Sequence, residues 1–221
     1  MSGQTIDVAA VDSRLTALPP AERVRLQRRA RLLAWSGIAW HLIEFAVALA
    51  AGIAASSIAL IGFGADSLIE GFAGFTVVWL FTGRRLRSET AERRAQQLIA
   101  VSFFVLAAYV GEEAVRTLAS GDHPGTSWLG IGLAAFTAPT MPLLALAKRR
   151  VGTELNSSAT VKEGAQNMLC AYLSVALLIG LLLNAVAGWW WADPSAALVI
   201  AVVALKEGRE SWRGEGCCEA C

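Results

Sequence analysis

Six long apolar segments are the feature that most constrains the fold of this 221-residue chain. At a rise of about 1.5 Å per residue, each can cross a hydrocarbon core of about 30 Å, the sixth with least to spare. Because lipid satisfies no backbone hydrogen bonds, a spanning segment is a helix or part of a closed barrel. Their length and the lack of strict alternation favour helices, so we predict an all-α integral membrane protein with six transmembrane helices. The approximate spans are 32–53, 57–82, 96–118, 127–147, 157–187 and 190–206.

Composition agrees with this class and argues against others. Only 17% of the residues are charged, whereas a typical soluble domain has about 25%. A net charge of +1 provides no basic field for nucleic acid, so we expect a lipid bilayer and no nucleic acid among the partners. The polar, arginine-rich start of the chain lacks the apolar stretch of a secretory signal.

The distribution of lysine and arginine predicts the topology. The amino-terminal arm, the loops after segments two and four and the tail hold 17 of the 19 basic residues, and the opposite loops hold none. The positive-inside rule then places both termini in the cytoplasm. We therefore predict a cytoplasmic arm over 1–31 with a basic helix, a transmembrane domain over 32–207 and a cytoplasmic cysteine-rich tail over 208–221.

Two carboxylates lie in the middle of segment two. Asp66 and Glu70, in the stretch GADSLIEG, are spaced i, i+4 and share one helix face. An ionisable side chain at the bilayer centre costs about 2.5–3.5 kcal/mol on insertion scales. Two neighbouring carboxylates also resist double ionisation unless a cation lies between them. We interpret the pair as a cation site that exchanges with protons; the alternative is a pair of neutral acids hydrogen-bonded within the bundle.

Segments five and one offer further candidate ligands. Gln166 and Cys170 are spaced i, i+4 near the middle of segment five, and His41 and Glu44 are spaced i, i+3 in segment one. Amide and carboxylate oxygens are hard ligands, a thiolate is soft, and imidazole lies between. For cysteine, glutamine and histidine, ordinary packing or hydrogen bonding between helices remains the alternative interpretation.

The tail ends in the thiol cluster GCCEAC, which contains Cys217, Cys218 and Cys221. Three thiolates in such a short stretch can hold one soft metal ion. The alternative is a reduced tail without structure. We predict that these three cysteines capture metal in the cytoplasm.

By these residues the chain resembles the cation diffusion facilitator family, whose members are six-helix metal–proton antiporters. The resemblance covers 32–207 and is carried by SSIALIGFGADSLIEG, VKEGAQNMLCAYLSVALLIGLLL and WADPSAALVIAVVAL in segments two, five and six. The family carries D-x-x-x-D in segment two and H-x-x-x-D in segment five, which together hold zinc. Asp66 and Glu70 match the first motif closely, whereas Gln166 and Cys170 depart from the second at both positions. We expect a short, divergent member without the family's carboxyl-terminal cytoplasmic domain.

The resemblance implies efflux of a divalent metal by proton antiport, with zinc or a similar transition metal as substrate and no organic cofactor. It also implies a homodimer in a bacterial plasma membrane. The first alternative is a non-transporting membrane scaffold or sensor that binds metal, which the altered second motif favours. The second is a redox enzyme using cysteine thiols; because no catalytic triad, phosphate loop or H-E-x-x-H motif is present, we expect no enzymatic activity.

Overall fold

Helices account for nearly all of the structure, a computed structural model that describes residues 19–81, 89–155 and 157–213. These ranges contain no strand. The chain folds into six helices, named in order α1 (Pro20–Ala55), α2 (Ile58–Phe81), α3 (Glu89–Ser120), α4 (Trp128–Glu154), α5 (Ser158–Ala187) and α6 (Ala192–Arg213). The predicted all-α class is therefore confirmed.

Four of the six helices, namely α1, α3, α4 and α5, are long and apolar enough to cross a membrane. Their outward faces carry large apolar side chains that are mostly exposed, such as Leu98 (70%), Leu143 (69%) and Val186 (81%). The interior, in contrast, contains buried acids, amides and hydroxyls. Apolar side chains outside and polar groups inside are the arrangement expected of a bundle whose solvent is lipid.

Several helices continue past the ends of the apolar segments. α1 begins at Pro20, directly after the Pro19 that precedes its first turn, and continues without interruption through the basic stretch into segment one. α4 continues to Glu154, so the run that begins with Lys148 is helical, not a loop. The sequence grouped Lys148 with the loop cations, but its side chain is only 3% exposed. Helix propensity carries these segments beyond the apolar stretch that defined them.

The α1–α2 and α4–α5 turns have matching contacts at positions 100 residues apart. At the first turn the Ser57 amide donates to the Gly52 carbonyl at 2.9 Å, and at the second Ser157 donates to Gly152 at 2.8 Å. A Cβ atom on either glycine would come within 3.0 Å of the backbone nitrogen nine residues later, which is why each turn needs glycine. The sequence shows only a faint likeness between segments two and five; the backbone shows a repeat.

The two hairpins lie in the bundle with opposite orientations. The Gly125 amide, in the α3–α4 loop, donates to the Ala55 carbonyl at the end of α1 at 2.7 Å. The Asn184 side chain, near the end of α5, donates to the Pro124 carbonyl of the same loop at 3.0 Å. The end of α1, the start of α4 and the end of α5 therefore lie at one end of the bundle, whereas the α4–α5 turn lies at the other.

Asp193, in the first turn of α6, caps the start of α2 across the bundle. Its carboxylate is fully buried and accepts hydrogen bonds from the Ser57 hydroxyl and, at 3.4 Å, from the Ala59 amide. The Ser57 hydroxyl in turn accepts from the Leu60 amide at 3.2 Å. The first amides of a helix have no partner within the helix, and a carboxylate is favoured there by the helix dipole. This contact fixes α6 against α2.

We predict that Asp193→Ala lowers the free energy of unfolding by about 1–3 kcal/mol, because it leaves buried donors at the start of α2 without an acceptor. Thermal unfolding of the detergent-solubilised protein measures the effect. Ser195→Ala is the control, since among the described residues its hydroxyl bonds to the nearby carbonyl of Trp191, directly before α6. Equal stability of the two variants would contradict the capping role.

Candidate metal centre

The Glu44 carboxylate, on α1, is the centre of the polar interior. The side chain is fully buried. Its Oε1 accepts a hydrogen bond from the Thr137 hydroxyl of α4 at 2.6 Å, and its Oε2 accepts from the Ser67 hydroxyl of α2 at 3.0 Å. The Cys170 thiol of α5 lies 3.7 Å from the same Oε2. Four helices therefore meet at one carboxylate whose orientation is fixed by two hydroxyls.

His41 lies one turn before Glu44 on the same face of α1. Its Nδ1 is 3.4 Å from Glu44 Oε2 and 3.5 Å from Glu70 Oε2. Neither His41 Nδ1 nor Glu70 Oε2 has a hydrogen-bond partner among the described residues, although both atoms are buried. Buried polar atoms without partners are uncommon and costly, and two of them facing each other indicate a place for a bound cation.

His41, Glu44 and Cys170 form a compact group of nitrogen, oxygen and sulfur donors, with one atom of each within 4.8 Å of the others. A tetrahedral zinc ion with bonds of about 2.0–2.3 Å separates its donors by about 3.3–3.6 Å. The measured separations of 3.4 Å and 3.7 Å are close to those values before any adjustment around a metal. The arrangement therefore suits zinc or a metal of similar size and softness.

The residues predicted from segments two and five occupy different places around this group. Glu70 adjoins it and lies within hydrogen-bonding reach of Cys170. Asp66 is buried one turn away, where Glu44 and Glu207 of α6 are near enough to repel its charge, and is not a member of the compact group. Gln166 lies at a cleft beside Glu70. The cysteines predicted to capture metal, Cys217, Cys218 and Cys221, lie outside the described residues.

Sequence reasoning missed the hydroxyls that hold Glu44. Ser67 directly follows Asp66, and Thr137 lies in an apolar stretch shortly before Pro139, so neither carries a recognisable motif. Asn167 of α5 contacts two other helices: its Oδ1 accepts from Lys148 of α4, and its Nδ2 lies 3.5 Å from His41 Nε2 of α1. Groups that orient metal ligands in this way fix their rotamers and tautomers.

The centre lies where the two hairpin repeats meet. Displacement by 100 residues relates Asp66 to Gln166 and Glu70 to Cys170, so the two sequence motifs occupy equivalent positions in the two halves. It also relates His41 to Met141, whose sulfur accepts from the Asn167 amide at 3.1 Å. The repeats thus bring two equivalent helix faces together but supply different donors.

Comparison with known proteins gives one distant relative. No protein-family model matches the chain. The chain is 22% identical over 212 residues to Transmembrane protein 163 of Xenopus laevis, in an alignment that covers 94% of this chain and 75% of that protein. This similarity and the four apolar helices both indicate a protein that crosses a membrane. The chain is a membrane protein. Membership of the cation diffusion facilitator family stays a prediction, because the relative is distant and its name states only that it is transmembrane.

We predict that Cys170 binds metal through sulfur. In a background with Cys217, Cys218 and Cys221 changed to serine, Cys170 is the only cysteine left, so added Co²⁺ should give a sulfur-to-cobalt charge-transfer band in the near ultraviolet. Further substitution Cys170→Ser should remove the band, because a hydroxyl is not a soft donor. Absorption spectroscopy during a Co²⁺ titration measures both. A band that survives in the cysteine-free protein would exclude this assignment.

Proposed function

We propose that this protein is a divalent metal transporter that exchanges a transition metal, zinc first among the candidates, for protons. The observation that carries the proposal is the convergence of His41, Glu44 and Cys170 in the interior of a membrane protein. Intramembrane ionisable groups mark ion pathways and proton relays. The proposal agrees with the resemblance to the cation diffusion facilitator family.

The ligand set itself supports coupling to protons. We assign His41, Glu44 and Cys170 as ligands, with Glu70 as the fourth and Asp66 as a neighbouring acid that carries protons. A thiol and carboxyl groups bind metal only when deprotonated, so metal binding releases protons and acidification releases metal. Low pH on the receiving side then drives release of the metal. The protonated, metal-free centre then returns to face the side from which the metal came.

The inverted hairpins support alternating access. Transporters often consist of repeats of opposite orientation with the substrate site at their interface near the bilayer midplane. The α1–α2 and α4–α5 hairpins have opposite orientations, and the metal centre lies between them. We propose that α2 and α6 also span the bilayer, which makes six spans. Rocking of one hairpin against the other would expose the centre to each side in turn.

We predict that Glu44→Gln lowers metal flux by at least about 100-fold, since loss of a group that merely orients a ligand already costs 10–100-fold. Flux of a panel of divalent metals is measured in proteoliposomes that contain a pH-sensitive dye, which reports selectivity and proton movement together. Glu154→Gln is the control, because Glu154 is an exposed acid at the end of α4. We expect metal flux to increase when the side that receives the metal is made more acidic.

Two results would contradict this prediction. Wild-type flux in Glu44→Gln would exclude the centre as the transport site. Stoichiometric metal binding by the wild-type protein without flux of any metal in the panel would instead support the non-transporting scaffold or sensor. The Glu154→Gln protein shows whether loss of an exposed acidic residue alone changes metal binding or flux.

We also predict that both termini lie in the cytoplasm. A membrane-impermeant maleimide should label the tail cysteines only after the cells are permeabilised, because positive loops stay inside. The control is Asp122→Cys in the background without tail cysteines. Asp122 is exposed in the α3–α4 loop, which we place outside, so its label should appear on intact cells. Labelling of the tail in intact cells would reverse the topology.

A further inference from the structure

A narrow cleft leads from the end of the bundle that holds the α4–α5 turn towards the metal centre. Its free volume of about 10 Å³ is roughly the space of one water molecule. Lys148 and Glu163 line it about 8 Å inside the bundle, counted from the α4–α5 turn at about 1.5 Å per residue. His41 and Glu70, which belong to the metal centre, line its inner part.

The ammonium group of Lys148 lies in this cleft. Its Nζ donates to Asn167 Oδ1 at 2.9 Å and lies 3.6 Å from Glu163 Oε2. Lys148 and Glu163 are only 3% and 6% exposed. A Cβ atom on Gly37 would lie 2.7 Å from Nζ, so the ammonium group packs closely against α1 at this glycine.

The cleft also has more acceptors than Lys148 satisfies. Glu163 Oε1 and Glu70 Oε2 are buried and have no hydrogen-bond partner among the described residues. Gln166, which the sequence paired with Cys170, lines the same cleft and can supply an amide oxygen. Two carboxylates and an amide form an oxygen donor set of the kind that divalent cations accept.

At the opposite end of the bundle, the positions equivalent to this charged pair carry apolar residues. Displacement by 100 residues relates Lys148 to Ala48 and Glu163 to Phe63, and both counterparts are fully buried apolar residues. The buried pair of Lys148 and Glu163 therefore has no charged counterpart at these positions on the side of the α1–α2 turn. A cation approaching from that side meets Lys148 before it reaches the ligands.

From these observations we infer that the cleft between Glu163, Gln166 and Glu70 is a second, outer binding site for a divalent cation, which Lys148 occupies while no metal is bound. This inference rests on the proposed function, because it assigns the outer site as the step before the centre. An arriving cation displaces the ammonium group and takes its carboxylate partner. When the cation moves inward, the ammonium group returns and blocks its way back.

The test is the number of Co²⁺ ions bound per chain, measured by equilibrium dialysis of the detergent-solubilised protein in the background without tail cysteines. The parent protein should bind one ion tightly, at the sulfur-ligated centre, and a second ion only weakly, because Lys148 competes for the outer site. Lys148→Ala removes the competing charge and should bind a second ion at least about tenfold more tightly than the parent does. Because its ligands are oxygens, this second ion should add nothing to the sulfur-to-cobalt band.

Two further variants make the test specific. Lys148→Ala combined with Glu163→Gln should return the count to one, because it removes the ligand that the second ion needs. Arg150→Ala removes the same net charge from an exposed position of the same helix and should bind one ion. If Lys148→Ala does not fold, Lys148→Gln, which keeps a hydrogen-bonding side chain, replaces it, and the sulfur-to-cobalt band reports that the centre is intact.

The outcomes separate the two proposals. One bound ion in Lys148→Ala and Lys148→Gln, with the sulfur-to-cobalt band present, would overturn the outer site and leave the metal centre in place. No sulfur-ligated ion in the parent protein would overturn the centre itself. A second ion that persists after Glu163→Gln would also overturn the outer site, because that ion would be bound elsewhere.

Discussion

The buried carboxylate of Glu44 is the group on which the arrangement of the bundle depends. An acid with no exposed surface is tolerated only if its oxygens have partners, and here the partners come from three other helices. The Thr137 hydroxyl reaches it from α4, the Ser67 hydroxyl from α2 and the Cys170 thiol from α5. Moving any of these helices by one residue would rotate its donor away, so the carboxylate fixes the register of four helices while it is held ready as a ligand.

The hairpin repeat explains why such a centre lies in the middle of the bundle. Two hairpins with matching turns, placed in opposite orientations, bring equivalent faces of α2 and α5 together. The backbone can be nearly the same in both halves because the turn glycines Gly52 and Gly152 and the following helix contacts are retained. The donors differ, since Glu70 in one half corresponds to Cys170 in the other. Similar packing of the two halves thus brings together different donor groups.

Much of the fold was predictable from sequence, because long apolar segments leave few alternatives in lipid. The positions of the six helices and the importance of Glu70 and Cys170 follow from segment length and i, i+4 spacing. The central place of Glu44 did not follow, because the rotation of α1 is set by Ser67 and Thr137, which carry no motif. Lys148 was misplaced for a related reason: a run of cations resembles a loop, and only the contact with Glu163 shows that its first member points inward.

The balance of buried charge connects these features. Glu44, Glu70 and Asp66 lie close together in the interior of the bundle, where the His41 ring contacts Glu44 and Glu70; the Lys148 ammonium group pairs with Glu163. Three carboxylates cannot all stay ionised in a medium of low dielectric constant without a counter-charge. A divalent cation bound among them would supply that counter-charge. The proposed exchange of metal for protons would use this need for a counter-charge, because carboxyl groups bind metal only when deprotonated.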